Sequence, residues 1–300
     1  MLKYLNHRDA TLLLNLQLMN IKELEEYFIE QARSLYDTEE ARSLFYIITE
    51  QQEGWGRSYI LMNSTKEVDV NQSNKYKDIL SKLKTGKPLQ YIFAETIFYG
   101  LKFNVGPAVL IPRPETEELV DWILQTVKVD AQKPDKILDI GTGSGCIAIS
   151  LKKHLEKTEV SALDVSADAL IVAQKNAALN EVTINFINQD ILHYNADENY
   201  DLIVSNPPYI KEEEKAAMHQ NVLDYEPHLA LFVTNERPLL FYEAIADFAN
   251  RNLRKGGTLF FEINEYLGQE TAAMLKTKGF RSIILRKDMQ GKDRMICCSL

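Results

Sequence analysis

Over roughly the first ninety residues, apolar positions recur at helical spacing. Ile21, Leu24, Phe28 and Leu35 follow the pair Asn20 and Glu23, which resembles a capping signal. A second stripe, Leu44, Phe45 and Ile48, starts from a Thr38 cap and stops near Gly54; a third runs through Tyr76, Ile79, Leu80 and Leu83 to Gly86. Stripes of this kind, without a cluster of polar residues among them, predict a small helical bundle for packing or partner recognition. From Leu89 the pattern changes. Tyr91, Ile92, Phe93, Ile97, Phe98 and Tyr99 lead to Gly100, and Phe103 and Val105 follow. Aromatic and β-branched runs around a glycine predict a hairpin bridging two domains, closed by Gly106 and Pro107.

After Pro134, strand and helix patterns alternate to the end of the chain. Strands are expected at 136–140, 160–163, 183–187, 201–205, 258–263, 281–285 and 295–299. Helices are expected after Gly145, after Ser166 and over about 239–253. Such alternation specifies an α/β fold, a doubly wound and mostly parallel seven-stranded sheet with helices on both faces. The last two strands lie too close in sequence, around a turn at 289–293, for a parallel crossover, so they are expected to pair antiparallel. The expected organisation is a helical domain over 1–87, a hairpin linker over 88–108 and the α/β domain over 109–300.

Composition narrows the function. With 300 residues, 45% apolar and 26% charged, the chain is an ordinary globular protein of about two domains, not a disordered, collagenous or coiled-coil one. No apolar run reaches the ~18 residues of a membrane helix. Leu12, Leu13 and Leu14 are interrupted by Asn15, Gln17 and Asn20 before they could serve as a signal core. The net charge of -9 argues against a protein that lives on nucleic-acid phosphates. Residues 1–100 carry 12 basic and 14 acidic residues, so the N-terminal part is no basic arm either. Cys146, Cys297 and Cys298 cannot build a disulfide framework, and a cytoplasmic location is expected. His7, His154, His193, His219 and His228 are scattered without metal-ligand spacing, so no metal is expected.

The first α/β strand runs into Gly141-Thr142-Gly143-Ser144-Gly145, a turn whose backbone could approach a ligand closely. A dinucleotide fingerprint wants glycine or alanine at the position of Cys146, so the spacing fits a nucleoside-type cofactor better than a pyrophosphate. A tight turn without a ligand remains the bland alternative. Asp164 ends the second strand, where a carboxylate can accept from two ribose hydroxyls or can simply serve as a helix N-terminal acid. Asp190 and Ile191 follow the third strand, placed to meet an adenine amino group and ring, or to be plain loop residues.

Ser205-Asn206-Pro207-Pro208-Tyr209 leaves the fourth strand at the carboxyl ends of the sheet, where such folds bind ligands. Asn206 offers a side-chain carbonyl. The two prolines stiffen the backbone and leave the Pro207 carbonyl as a second acceptor, with Tyr209 available to lie against a flat group. Two fixed acceptors suit a planar amino group with two N–H bonds. The competing reading is a stiff turn.

Together these residues resemble the class I, Rossmann-like methyltransferases that use S-adenosylmethionine. Within them the chain is similar to the peptide chain release factor glutamine methyltransferases of the HemK/PrmC family. The likeness includes Val109-Leu110-Ile111-Pro112-Arg113-Pro114-Glu115-Thr116-Glu117 and Glu226-Pro227-His228-Leu229-Ala230-Leu231, together with the helical domain and hairpin. Ile191 departs from it, standing where the family has a larger side chain. The resemblance implies methylation of the glutamine side-chain amide nitrogen in a Gly-Gly-Gln loop of release factors. It implies cofactor contacts from Gly141, Thr142, Gly143, Ser144, Gly145, Asp164, Asp190, Ile191 and Asn206, and substrate contacts and catalysis from Asn206, Pro207, Pro208 and Tyr209. The acidic balance argues against stable nucleic-acid binding, and a monomer is expected. An amino-group methyltransferase acting on adenine or guanine in DNA or RNA is the alternative, since base amino groups share the planar geometry. A nucleotide-sensing module without turnover is a third reading.

Overall fold

The structure, a computed structural model, describes residues 19–129 and 133–300. His7 and the Leu12, Leu13 and Leu14 run with Asn15 and Gln17 lie outside the described residues. The chain divides between Ile92 and Phe93 into two compact units.

In the first unit β1 (Met19–Asn20) pairs antiparallel with β2 (Glu67–Val68). Asn20 caps α1 (Ile21–Ala32) in a capping box: its side chain accepts from the Glu23 N–H at 3.0 Å, and the Asn20 N–H donates to Glu23 at 2.9 Å. The helix ends at Ala32, so Leu35 lies beyond it and is half-exposed, not on its buried stripe. Asp37, not Thr38, caps α2 (Thr38–Glu53), accepting from the Glu40 N–H at 2.8 Å. A carboxylate there also answers the positive end of the helix, which a hydroxyl does not. After α3 (Arg57–Met62), α4 (Val70–Leu83) brings Tyr76 to 5.8 Å from Phe45, whose ring lies 5.6 Å from Phe28. These three rings centre the expected bundle.

Leu89–Phe93, expected as the first arm of the hairpin, is a helical turn, α5. The Pro88 carbonyl accepts from the Tyr91 and Ile92 N–H groups, and proline is well suited to open a helical turn. The hairpin pairs β3 (Glu95–Phe98) with β4 (Leu101–Asn104) across Tyr99-Gly100, both at positive φ. That is the two-residue turn favoured by strand twist. Phe98 and Phe103 are buried with Leu119, Ile123 and Ile147, so the hairpin is built into the core of the second unit.

Seven strands form one sheet in the order β12-β13-β11-β8-β5-β6-β7. They are β5 (Lys136–Ile140), β6 (Glu159–Asp164), β7 (Asn185–Asn188), β8 (Tyr200–Ser205), β11 (Leu253–Glu262), β12 (Arg281–Lys287) and β13 (Asp293–Ser299). All neighbours are parallel except those of β13, which runs antiparallel to β11 and β12 as expected. The small parallel pair β9 (Ile210–Lys211) and β10 (Phe232–Val233) stands apart. Helices α6 (Pro114–Val129), α7 (Cys146–His154) and α8 (Ala167–Leu179) cover one face, and α10 (Leu240–Asn252) and α11 (Gly268–Thr277) the other. A short α9 (Gln220–Tyr225) lies between β9 and β10. β5 and β8 are neighbours whose chains then run outward in opposite directions. That is a topological switch point, which opens a crevice at the strand carboxyl ends.

Candidate active site

The carboxyl ends of β5, β6 and β8 open into one cleft, and most of the candidate residues line it. Gly141, Gly143 and Gly145 have φ of 73°, 55° and 81°, in the left-handed region where a side chain is strained. Gly145 is also a packing glycine: a Cβ there would stand 2.9 Å from Ile149 Cδ1 and 3.2 Å from Ala173 Cβ. Above Gly143 a Cβ would meet nothing within 4 Å, so the loop faces open space. Thr142, Ser144 and Cys146 complete the turn. Cys146 is buried, and burial pushes its thiol up to about 12, which leaves it inert.

Two buried carboxyl groups hold the loop. Asp139 accepts from the Thr142 hydroxyl at 2.6 Å and the Ala148 N–H at 3.2 Å, and burial pushes its pKa up to about 7. Asp164 accepts from the Gly143 N–H at 2.8 Å and the Ser166 N–H at 2.9 Å, and burial raises its pKa as well. Each Asp164 oxygen has lone-pair capacity left to meet a hydroxyl in the cleft. Asp190 and Ile191 line the same cleft, but the Asp190 carboxylate is engaged within its own turn, accepting from the Leu192 N–H at 2.9 Å and lying 3.1 Å from His193 Nδ1.

Asn206, Pro207 and Pro208 line the same cleft, leaving the strand beside the one that enters the glycine turn. The Asn206 Nδ2 donates to Thr116 Oγ1 at 3.3 Å. Among the described residues, neither Asn206 Oδ1 nor the Pro207 carbonyl accepts a hydrogen bond. Tyr209 sits elsewhere. Its ring packs against the buried cluster beneath α10, and its hydroxyl donates to Glu262 Oε1 at 3.0 Å. Glu262, 2% exposed at the end of β11, also accepts from the Thr116 hydroxyl at 2.6 Å. Burial raises the Glu262 pKa, while the two hydroxyl donors and Arg294 pull it back.

Several residues to which the sequence alone assigns no role in the site shape this cleft. Glu226, with its side chain 1% exposed, pairs with Arg113 at 2.6 Å and accepts from the Ile111 N–H at 3.2 Å. Two proline-containing segments over a hundred residues apart thus form one wall. Asn176 ties the hairpin to the glycine turn: its Oδ1 accepts from the Asn104 N–H at 2.6 Å, and its Nδ2 donates to the Ser144 carbonyl at 2.9 Å. The available signals were a lone acid inside Leu259-Phe260-Phe261-Glu262-Ile263 and a lone amide on the apolar face of α8. No group of His, Cys, Asp and Glu among the described residues is arranged to hold a metal ion.

The family described as Methyltransferase small domain matches residues 120–229, and the PrmC N-terminal domain matches residues 26–93. The T. thermophilus 16S rRNA methyltransferase RsmC, solved in complex with AdoMet and guanosine, shares the fold. Its TM-score is 0.50 at 17% identity, covering 68% of this chain and 49% of that one. The release factor glutamine methyltransferase of Flavobacterium psychrophilum is 49% identical over 280 residues, 93% of this chain and 98% of that protein. Its counterpart from Bacteroides thetaiotaomicron is 42% identical over 276 residues, 90% of this chain and 96% of that protein. With identity at this level over nearly the full length of both relatives, the chain belongs to the family of release factor glutamine methyltransferases.

Proposed function

We propose that this chain methylates the side-chain amide nitrogen of the glutamine in the Gly-Gly-Gln loop of peptide chain release factors, with S-adenosylmethionine as donor. The observation that carries the reading is the pair of unengaged acceptors, Asn206 Oδ1 and the Pro207 carbonyl, at the cleft lined by the glycine turn. The cleft suits the donor: open space above Gly143 for a nucleoside, the Asp164 carboxylate for ribose hydroxyls, and Ile140, Leu163 and Ile191 as apolar lining. S-adenosylmethionine supplies a methyl group activated on a sulfonium centre.

The chain's own residues solve the remaining difficulty. An amide nitrogen is a poor nucleophile because its lone pair is delocalised into the carbonyl. Asn206 Oδ1 and the Pro207 carbonyl accept from its two N–H bonds and so fix the direction of the lone pair. A fixed approach removes orientational entropy from the barrier, worth at most roughly 7–11 kcal/mol in ideal systems. The same two oxygens stabilise the positive charge that builds on nitrogen during transfer, and they are in place before it develops. The proton then leaves to water.

The helical first unit is assigned to recognition of the release factor, and the chain to the cytoplasm as a monomer without stable nucleic-acid binding. None of the three cysteines forms a disulfide and all are buried, in keeping with a reducing compartment, and no described helix is long and apolar enough to cross a membrane.

The deciding experiment offers release factor, a Gly-Gly-Gln peptide and DNA and RNA oligonucleotides side by side with labelled cofactor, followed by mass spectrometry. Label on the release factor glutamine is expected, and Asn206→Ala should cut the rate by about a hundredfold, the scale seen when one preorganised polar group is lost. Label on a base instead of protein would transfer the assignment to the nucleic-acid reading. An Asn206→Ala protein with wild-type activity would sink the mechanism.

A further inference from the structure

We propose that Thr116 is a positioning residue for methyl transfer: backed by Glu262, it decides which end of the Asn206 side-chain amide faces the target nitrogen. The proposal rests on the functional reading above and deepens it. An asparagine amide has a donor end and an acceptor end of nearly equal size, so packing alone cannot choose between its two orientations. Only the acceptor end serves a substrate N–H. Something in the wall of the cleft must therefore select it.

Thr116 has one hydroxyl proton, and the geometry commits it. Thr116 Oγ1 donates to Glu262 Oε2 at 2.6 Å, and Tyr209 donates to Oε1 of the same carboxylate at 3.0 Å. Both carboxylate oxygens thus accept from hydroxyl groups, and Thr116 is 2% exposed, so no solvent competes for its proton. With the proton spent, the Thr116 oxygen can only accept. Asn206 Nδ2 meets it at 3.3 Å, which turns Oδ1 toward the cleft. In the flipped orientation Oδ1 would face an oxygen with no proton to share, and a donor would point at the substrate's N–H groups. The polarity runs in one direction from a buried carboxyl group through a hydroxyl to an amide.

The test compares Thr116→Val, which removes the hydroxyl at nearly constant shape, with Thr116→Ser, which keeps it. The full chain is assayed with release factor and labelled S-adenosylmethionine in single turnover. Cofactor affinity is followed with S-adenosylhomocysteine. Thr116→Val should slow transfer at saturating release factor by about tenfold or more, while KM and cofactor affinity stay within about threefold. Thr116→Ser should return the rate to within about threefold of wild type. Independently of turnover, the Asn206 side-chain N–H signals in 15N-labelled protein should exchange with solvent faster in Thr116→Val than in wild type or Thr116→Ser. Should the valine protein fail to fold, Thr116→Ala, which places no apolar methyl against Glu262, carries the same expectation.

Wild-type transfer and unchanged amide exchange in Thr116→Val would overturn the proposal. So would equal losses in the valine and serine proteins, because the methyl group and not the hydroxyl would then matter. A wild-type chain that leaves every release factor unlabelled overturns the functional reading, while amide exchange still decides the orientation of Asn206.

Discussion

Asp164 and Glu262 end two strands of the sheet and Asp139 stands one residue before the end of a third, and burial raises the pKa of each. Asp139 carries this furthest, since its Oδ1 has no hydrogen-bond partner among the described residues. The unfolded chain loses that proton near the ordinary aspartate value of 3.8, whereas the folded chain holds it to about 7. Between those values the folded state binds more protons, so this group's contribution to stability falls as pH rises, by about 1.4 kcal/mol per pH unit. Asp139→Asn should flatten that part of the profile. Urea midpoints of both proteins, measured at about pH 5 and about pH 7, read the difference directly. Asp164 makes a different prediction. Its carboxylate braces Gly143 and Ser166 and faces the cleft, so Asp164→Ala should weaken S-adenosylhomocysteine binding at least about tenfold, one charge-assisted hydrogen bond being worth about 1.5–3 kcal/mol. Unchanged affinity by calorimetry would remove Asp164 from the site. The residue types of the cofactor turn and of Asn206-Pro207-Pro208 were legible because each stands beside a strand end in sequence. Thr116 and Glu226 were legible only as parts of a family resemblance, because their partners lie 146 and 113 residues away.

At the scale of elements, local chemistry decided most boundaries and tertiary contact the rest. Gly145 combines a left-handed φ with a Cβ position crowded by Ile149 and by Ala173 of the next helix. Gly145→Ala should therefore destabilise the second unit by at least about 1–2 kcal/mol from backbone strain alone, before the crowding is counted. A lowered denaturation midpoint would check it; an unchanged one would mean that α7 and α8 can part freely. Tyr91, Ile92 and Phe93 have strand-like composition, but a short apolar run has no period to distinguish strand from helical turn, and Pro88 opened the turn. The hairpin turns at Tyr99-Gly100 next to α6: Tyr99, at φ 48°, donates its N–H to Glu117 at 2.7 Å, which pins the turn to that helix. Strand β11 begins at Leu253, ahead of the expected 258, because a register shift between Leu253 and Thr258 lets it resume pairing with β8.

For the molecule as a whole, the second unit contains the cleft and both buried clusters that support its sheet, all from residues beyond Ile92. A protein of residues 93–300 should keep cofactor affinity within a few-fold and lose turnover of intact release factor. Calorimetry and the labelling assay would separate those effects, and full turnover by the shortened protein would remove the helical unit from recognition. What the sequence determined by itself was whatever depends on neighbours along the chain: the capped helices, the alternation that makes a doubly wound sheet, the antiparallel final pair, and the strand-end motifs. Strand order and the joining of distant segments were decided only in three dimensions. Periodicity states which face of an element is buried but not against what. Contacts such as Arg113 with Glu226, Asn176 with Ser144, and the run from Glu262 through Thr116 to Asn206 come into being when the sheet is assembled. The chain lists the groups of the cleft; the packed sheet decides which ends of them face it.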